Sequence, residues 1–140
     1  MPLAWSPEWL EAQVRSCKED AVFQEASGAN NRSYTVHVLA DPTNGVEQDY
    51  WWGFHVPSME KAFTGKENAW ETDYQMEGTY ADWRAVNEGE KSLLIGLLDQ
   101  SISLYRGSTS YLAMFVPAFE RFFELSRANT DSYAGNYGKA

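Results

Sequence analysis

Two kinds of hydrophobic spacing divide the chain. Residues 32–40 alternate, with Tyr34, Val36 and Val38 to one side and Thr35 and His37 to the other, the two-residue period of a strand. Asp41-Pro42 and Asn44-Gly45 supply turn chemistry. Residues 48–56 then return with Tyr50, Trp52, Phe54 and Val56 on one face and Asp49, Trp51 and His55 on the other, which predicts a hairpin. Pro57 closes that strand, and residues 59–64 predict a weak third one. Over residues 70–77, Trp70, Thr72, Tyr74 and Met76 alternate with Glu71, Asp73, Gln75 and Glu77. So regular a pattern predicts a strand with one face on the core and one in water.

Elsewhere the period is helical. Ser6, Pro7 and Glu8 form a start signal of cap, fixed φ and an acid at the positive end. Leu10, Val14, Cys17 and Ala21 then share a face, predicting a helix over residues 7–26. After Gly78 the pattern gives a short helix ending near Gly89, a leucine-rich helix, a strand over residues 101–106 and a final helix capped by Ser108. In that final helix Leu112, Phe115, Phe119 and Phe122 recur at three- and four-residue spacing. Tyr111, Met114, Val116, Phe123 and Leu125 widen the apolar face, and Glu120, Arg121 and Glu124 leave a narrow polar side. A helix apolar over so much of its girth is buried on more than one side or borders a space that something else fills. Pro117 lies inside it and is expected to kink it, at a cost of about 3 kcal/mol if unrelieved. From Asn129 the chain is rich in Gly, Ser, Asn and Tyr, which predicts a domain over residues 1–128 and a flexible C-terminal tail over 129–140. The element order predicts an α+β domain, a mostly antiparallel five-stranded sheet with helices packed on one face.

Composition narrows the function. A chain of 140 residues is long enough for one sizeable core. Aromatic residues make up 15%, with six Trp, which suits bulky sheet faces or an aromatic-lined pocket. A net charge of −9 argues against nucleic acid as a partner and against sustained docking on anionic membranes. The single cysteine, Cys17, excludes an internal disulfide and points to a reducing, cytoplasmic setting. No signal-peptide pattern is read at the N-terminus, and no apolar run reaches the ~18 residues of a membrane span.

Candidate chemistry is sparse. Glu71, Asp73 and Glu77 could grip an ion, but side chains two apart on a strand stand roughly 7 Å apart, so a solvated face is the reading. His37 and His55 lie on neighbouring strands facing away from the more apolar side and could meet as a pair. No third ligand accompanies them. Cys17 reads as a small buried hydrophobe rather than a nucleophile. There is no phosphate-cradling glycine loop and no nucleophile elbow. No catalytic, metal or cofactor site is expected, and binding is left as the main candidate.

Gly78, Asp82-Trp83 and the run Ala85-Val86-Asn87-Glu88-Gly89 resemble a segment of the sterol carrier protein type two family. In that segment a glycine precedes Asp-Trp and a helix that ends at glycine. The leucine-rich helix, the strand, Gly107 and the last helix follow in that family's order. Trp5-Ser6-Pro7-Glu8-Trp9-Leu10 and Ala40-Asp41-Pro42 are similar to its bacterial single-domain members. The chain departs from the pattern at Asp99-Gln100, where Gly-Lys is usual, and at Lys91-Ser92, where a proline is common. Its last residues, Tyr137-Gly138-Lys139-Ala140, do not read as a peroxisomal address.

The resemblance implies an apolar tunnel between sheet and helices. Its strand walls would be Tyr34, Val36, Trp52, Phe54, Tyr74, Met76, Ile102 and Leu104. Leu94, Leu97, Leu98, Leu112, Phe115 and Phe119 would form the helical side. The implied function is non-catalytic binding or carriage of a small apolar ligand such as a fatty acid or sterol, without stable membrane insertion. If these side chains fill the tunnel, they are ordinary core. One alternative is a small enzyme of the ketosteroid-isomerase kind, although such folds end on strands. The other is an interaction module in which exposed aromatics such as Trp51 dock a partner or a second copy as a homodimer.

Overall fold

A computed structural model describes residues 2–138. Five strands form one sheet in the order β3-β2-β1-β4-β5. They are β1 (Arg32–Leu39), β2 (Tyr50–Val56), β3 (Phe63–Thr64), β4 (Tyr74–Thr79) and β5 (Ile102–Arg106). The predicted hairpin is present, with Val36 opposite Trp52 and Tyr34 opposite Phe54. One central pair, β1 with β4, is parallel, and the other three pairs are antiparallel. The α+β expectation therefore holds. Tyr34, Val36, Val38, Trp52, Phe54, Tyr74, Met76 and Ile102 are all buried in the core cluster that the helices cover.

The helices differ from the expectation at two places. The predicted helix over residues 7–26 is two helices, α1 (Pro7–Glu19) and α2 (Ala21–Ser27). Asp20 breaks the run with an extended backbone (φ −83°, ψ 112°), and its Oδ2 accepts from the backbone N–H of Phe23 at 2.7 Å. An aspartate gains more as an N-cap than it gives in a helix interior, so the cap wins over continued periodicity. The same carboxylate takes a two-pronged contact from Arg121, at 2.9 Å from Nε and 2.7 Å from Nη2.

The predicted long final helix is likewise α5 (Thr109–Ala113) and α6 (Val116–Ala128). Phe115 leaves helical geometry between them (φ −119°, ψ 25°), and Pro117 falls in the first turn of α6. There its missing N–H is one the helix has no partner for, so the proline starts a helix instead of kinking one. Ser108 caps α5, accepting from Tyr111 N–H at 3.3 Å.

Between β4 and β5 lie α3 (Tyr80–Asn87) and α4 (Leu93–Leu98), capped by Thr79 and Ser92. Gly78 precedes α3 because a side chain there has no room: a Cβ would fall 2.7 Å from Ile102 Cδ1 and 3.0 Å from the Trp83 indole nitrogen. The alternation predicted to begin at Trp70 enters the sheet only at Tyr74. Before that point Thr72 turns inward, its hydroxyl 2.7 Å from that of Thr35 and donating to the carbonyl of Tyr74 at 2.7 Å.

Residues 131–134, within the predicted tail, make contacts with the rest of the domain. Leu3 and Ser132 form a parallel bridge, and Asp131 N–H donates to the carbonyl of Pro2 at 2.9 Å. Tyr133 is buried with its ring edge-on to Trp5 at 6.0 Å, and Ala134 N–H donates to the Tyr80 hydroxyl oxygen at 2.8 Å. Each tyrosine brings a large apolar face together with a hydroxyl that finds a partner, which composition alone does not register. Residues 139–140 of the predicted tail lie outside the described residues.

Candidate functional site

Two spaces lie on the helical side of the sheet. The outer one is an open cleft of about 450 Å³ bounded by α2, the end of α3, α4, α5 and α6. Its apolar wall includes Val86, Leu93, Leu94, Leu97, Leu112, Val116, Phe119 and Phe123, and its polar rim includes Glu88, Lys91, Glu120, Arg121, Glu124 and Arg127. The volume falls within the range of small-molecule sites. The inner space is a cavity of about 30 Å³ between the sheet and α6, with an almost wholly apolar surface. It is lined by Tyr34, Val36, Trp52, Phe54, Val56 and Met76 from strands, Phe23 and Asn30 beside them, and Trp83, Leu93, Ala118, Phe119, Phe122 and Phe123 from helices. That is room for a water-sized body and far less than a lipid needs.

Leu93, Phe119 and Phe123 line both spaces. The barrier between cleft and cavity therefore includes a leucine and two phenyl rings, groups that change rotamer without breaking a hydrogen bond. The Phe119 ring stands edge-on to Tyr34, with centroids 5.7 Å apart. Phe122, in contrast, is locked against Trp52 (5.9 Å, 11° between planes) and Phe54 (5.2 Å) and belongs to the fixed wall.

The predicted wall residues divide accordingly. Tyr34, Val36, Trp52, Phe54, Met76 and Phe119 border the inner cavity, and Leu94, Leu97, Leu112 and again Phe119 border the cleft. Tyr74, Leu98, Ile102, Leu104 and Phe115 border neither space. Leu98 is 62% exposed on the outside of α4. Ile102 is consumed by contact with Gly78 and Gly96. Tyr74 stacks on Tyr34 at 5.0 Å and covers Gly107. Sequence reasoning did not single out Leu93, Trp83 or Phe123 as wall residues, though Leu93 and Phe123 stood within helices already read as apolar. Arg127 carried no signal in the sequence beyond closing the last helix.

The other candidate residues have ordinary partners. His37 and His55 do not meet: His37 pairs with Trp51 across the hairpin and His55 with Ser33. The His37 ring stacks on Trp51 at 3.7 Å, with Nδ1 2.9 Å from Glu77 and Nε2 2.6 Å from Asp49, while His55 Nδ1 lies 3.0 Å from Ser58 Oγ. Asp73 accepts from the N–H and hydroxyl of Ser33, both at 2.9 Å, and the backbone bond leads in holding its carboxyl below the usual range. Glu71 lies 3.3 Å from Arg106. Cys17 is fully buried, and that burial pushes its thiol up to about 12, so it is not a thiolate nucleophile.

The fold as a whole matches known structures. A conserved hypothetical protein of Thermus thermophilus, named as a candidate sterol carrier protein, superposes with a TM-score of 0.79 at 22% identity, covering 90% of this chain and 89% of that one. This chain has the sterol carrier protein 2 fold. A crystal structure of sterol carrier protein 2 matches with a TM-score of 0.77 at 22% identity, over 88% of this chain and 96% of the other. The palmitated SCP2L2 of Aedes aegypti matches with a TM-score of 0.56 at 12% identity, over 81% and 94%. No family model matches the chain, and no curated protein matches it. Among the described residues no helix is long and apolar enough to cross a membrane.

Proposed function

We propose that this protein binds and carries a lipid-like apolar ligand without transforming it, with the hydrocarbon reaching from the outer cleft into the space between sheet and helices. The observation that carries the reading is the shared wall: an apolar cavity stands behind a cleft of ligand size, with Leu93, Phe119 and Phe123 common to both. Displacing those side chains would join the two spaces into the tunnel implied by the sequence resemblance. Affinity would come from apolar burial at roughly 25 cal/mol per Å². The fold match, and the palmitate on one of the matched proteins, support the same class of ligand. An enzymatic reading draws no comparable support, since neither a carboxylate nor an imidazole lines the inner cavity.

Trp52 and Trp83 line the inner cavity, so their fluorescence should report entry of a ligand. Titration with fatty acids and sterols below their aggregation limits should give a saturable change in emission. A flat response across both classes would overturn the proposal.

A further inference from the structure

Three cations stand in the wall of the cleft, and two of them are spoken for. Lys91 Nζ lies 3.0 Å from Asp99, and Arg121 divides its guanidinium between Asp20 at 2.7 Å and Glu124 at 3.4 Å. Arg127 differs. Its Nε donates to the backbone carbonyl of Asn87 at 2.9 Å, and no carboxylate among the described residues lies within ion-pair distance of it. The guanidinium rests over Gly89, where a Cβ would come within 2.6 Å of Nη2. Gly89 has φ +80° as well, so both its conformation and its missing side chain suit the seat. The Nε bond fixes the plane of the fork, and its two terminal nitrogens have no protein partner among the described residues.

We propose that Arg127 is the head-group anchor of the cleft and takes the carboxylate of an anionic amphiphile, whose chain runs past Val86, Leu93 and Phe123 toward Phe119. The inference rests on the lipid-binding reading and adds a preference within it, for a charged head over a neutral one. A guanidinium fork presents two parallel donors to a carboxylate, a match that neither an ester nor an alcohol can return. None of the three carboxylates in the same wall pairs with it. Glu124 faces Arg121, Glu88 accepts from the Tyr133 hydroxyl, and Glu120 makes no ion pair with Arg127. In a chain of net charge −9, a local cation offsets the repulsion an anionic ligand would otherwise meet.

The test compares dodecanoate with methyl dodecanoate, titrated into the wild-type protein and into Arg127→Met and Arg127→Lys variants. The wild type should prefer the acid by about tenfold, the effect of one charge-assisted contact. In Arg127→Met the ratio of the two affinities should fall close to one, and Arg127→Lys, a point charge without the fork, should fall between. The anchor is overturned, with carriage left standing, if the wild type binds acid and ester equally or if Arg127→Met keeps the wild-type ratio. Should the wild type bind neither probe, both the anchor and the lipid reading fall. If Arg127→Met does not fold, Arg127→Lys carries the test, and an equal wild-type ratio overturns the anchor without any variant.

Discussion

Replacing Ser126 by alanine tests the buried polar chain beneath the cleft. Ser126 Oγ accepts from the Trp9 indole N–H at 3.1 Å and donates to Asn87 Oδ1 at 2.5 Å, and all three side chains are fully buried. Removing the hydroxyl leaves one donor and one acceptor without partners in a place water does not reach. Each such group costs about 1–3 kcal/mol, and Asn87 keeps its bond to the Tyr133 hydroxyl at 2.8 Å, so a total of about 3 kcal/mol is expected. For 140 residues the unfolding entropy is about 0.3 kcal/mol per kelvin, so the melting temperature should fall by about 10 °C. Urea unfolding should show the midpoint shifting with an unchanged slope. Trp9→Phe removes the donor that the serine serves. The double variant should therefore be more stable than the sum of the two single losses implies, by about 1 kcal/mol. A loss under about 1 kcal/mol for Ser126→Ala, with no coupling in the double variant, would refute the network as a source of stability.

Phe119→Ala should open the inner cavity to the cleft. Because this ring is only partly buried, the loss should be about 2 kcal/mol, below the range for fully buried phenylalanines. A saturating fatty acid should then stabilise the variant more than the wild type, as seen by thermal unfolding with and without ligand; equal or smaller stabilisation would count against the shared wall. Asp20 gives a pH signature. Its hydrogen bond from Arg121 leads in holding the carboxyl below the usual range. A depressed folded pKa adds stability that is present above the unfolded value of about 3.9 and is lost as pH falls through the folded value. The stability gap between wild type and Asp20→Asn should be level from about pH 5 to 8 and shrink below about pH 4. A gap that persists unchanged to about pH 2 would contradict this.

The strands were the legible part of the chain, because a two-residue period names the buried face directly: Tyr34, Val36, Trp52 and Phe54 all point where their spacing places them. Helix ends were less legible. Periodicity ran on across Asp20 and across Phe115, yet the aspartate found a cap and Pro117 found a first turn. Both outcomes depend on a local backbone choice that hydrophobic spacing does not encode. The wall of the site was legible only in part, for a different reason. An apolar face is visible in sequence, but whether a neighbour fills the space beside it depends on packing in three dimensions. Ile102 and Phe123 look equivalent in the pattern, yet the first meets two glycines and the second borders both open spaces. Arg127 was invisible because its meaning comes from Gly89 and Asn87, about forty residues earlier.

The pairing of Leu3 with Ser132 has a consequence for how the molecule is made. Early residues meet partners that lie more than a hundred positions later: Trp9 meets Ser126, Gln13 donates to the carbonyl of Phe122 at 3.0 Å, and Asp20 meets Arg121. Both opening helices therefore leave the ribosome well before the surface that satisfies them has been synthesised. The hairpin of β1 and β2 can form as the chain emerges, but the fold is closed only once α6 and Ser132 have followed. Contacts of such long sequence separation form late and slow folding. Until then Trp5 lacks its contact with Tyr133 and the Trp9 indole N–H lacks Ser126, so two of the largest apolar side chains stay incompletely covered while the rest of the chain is made.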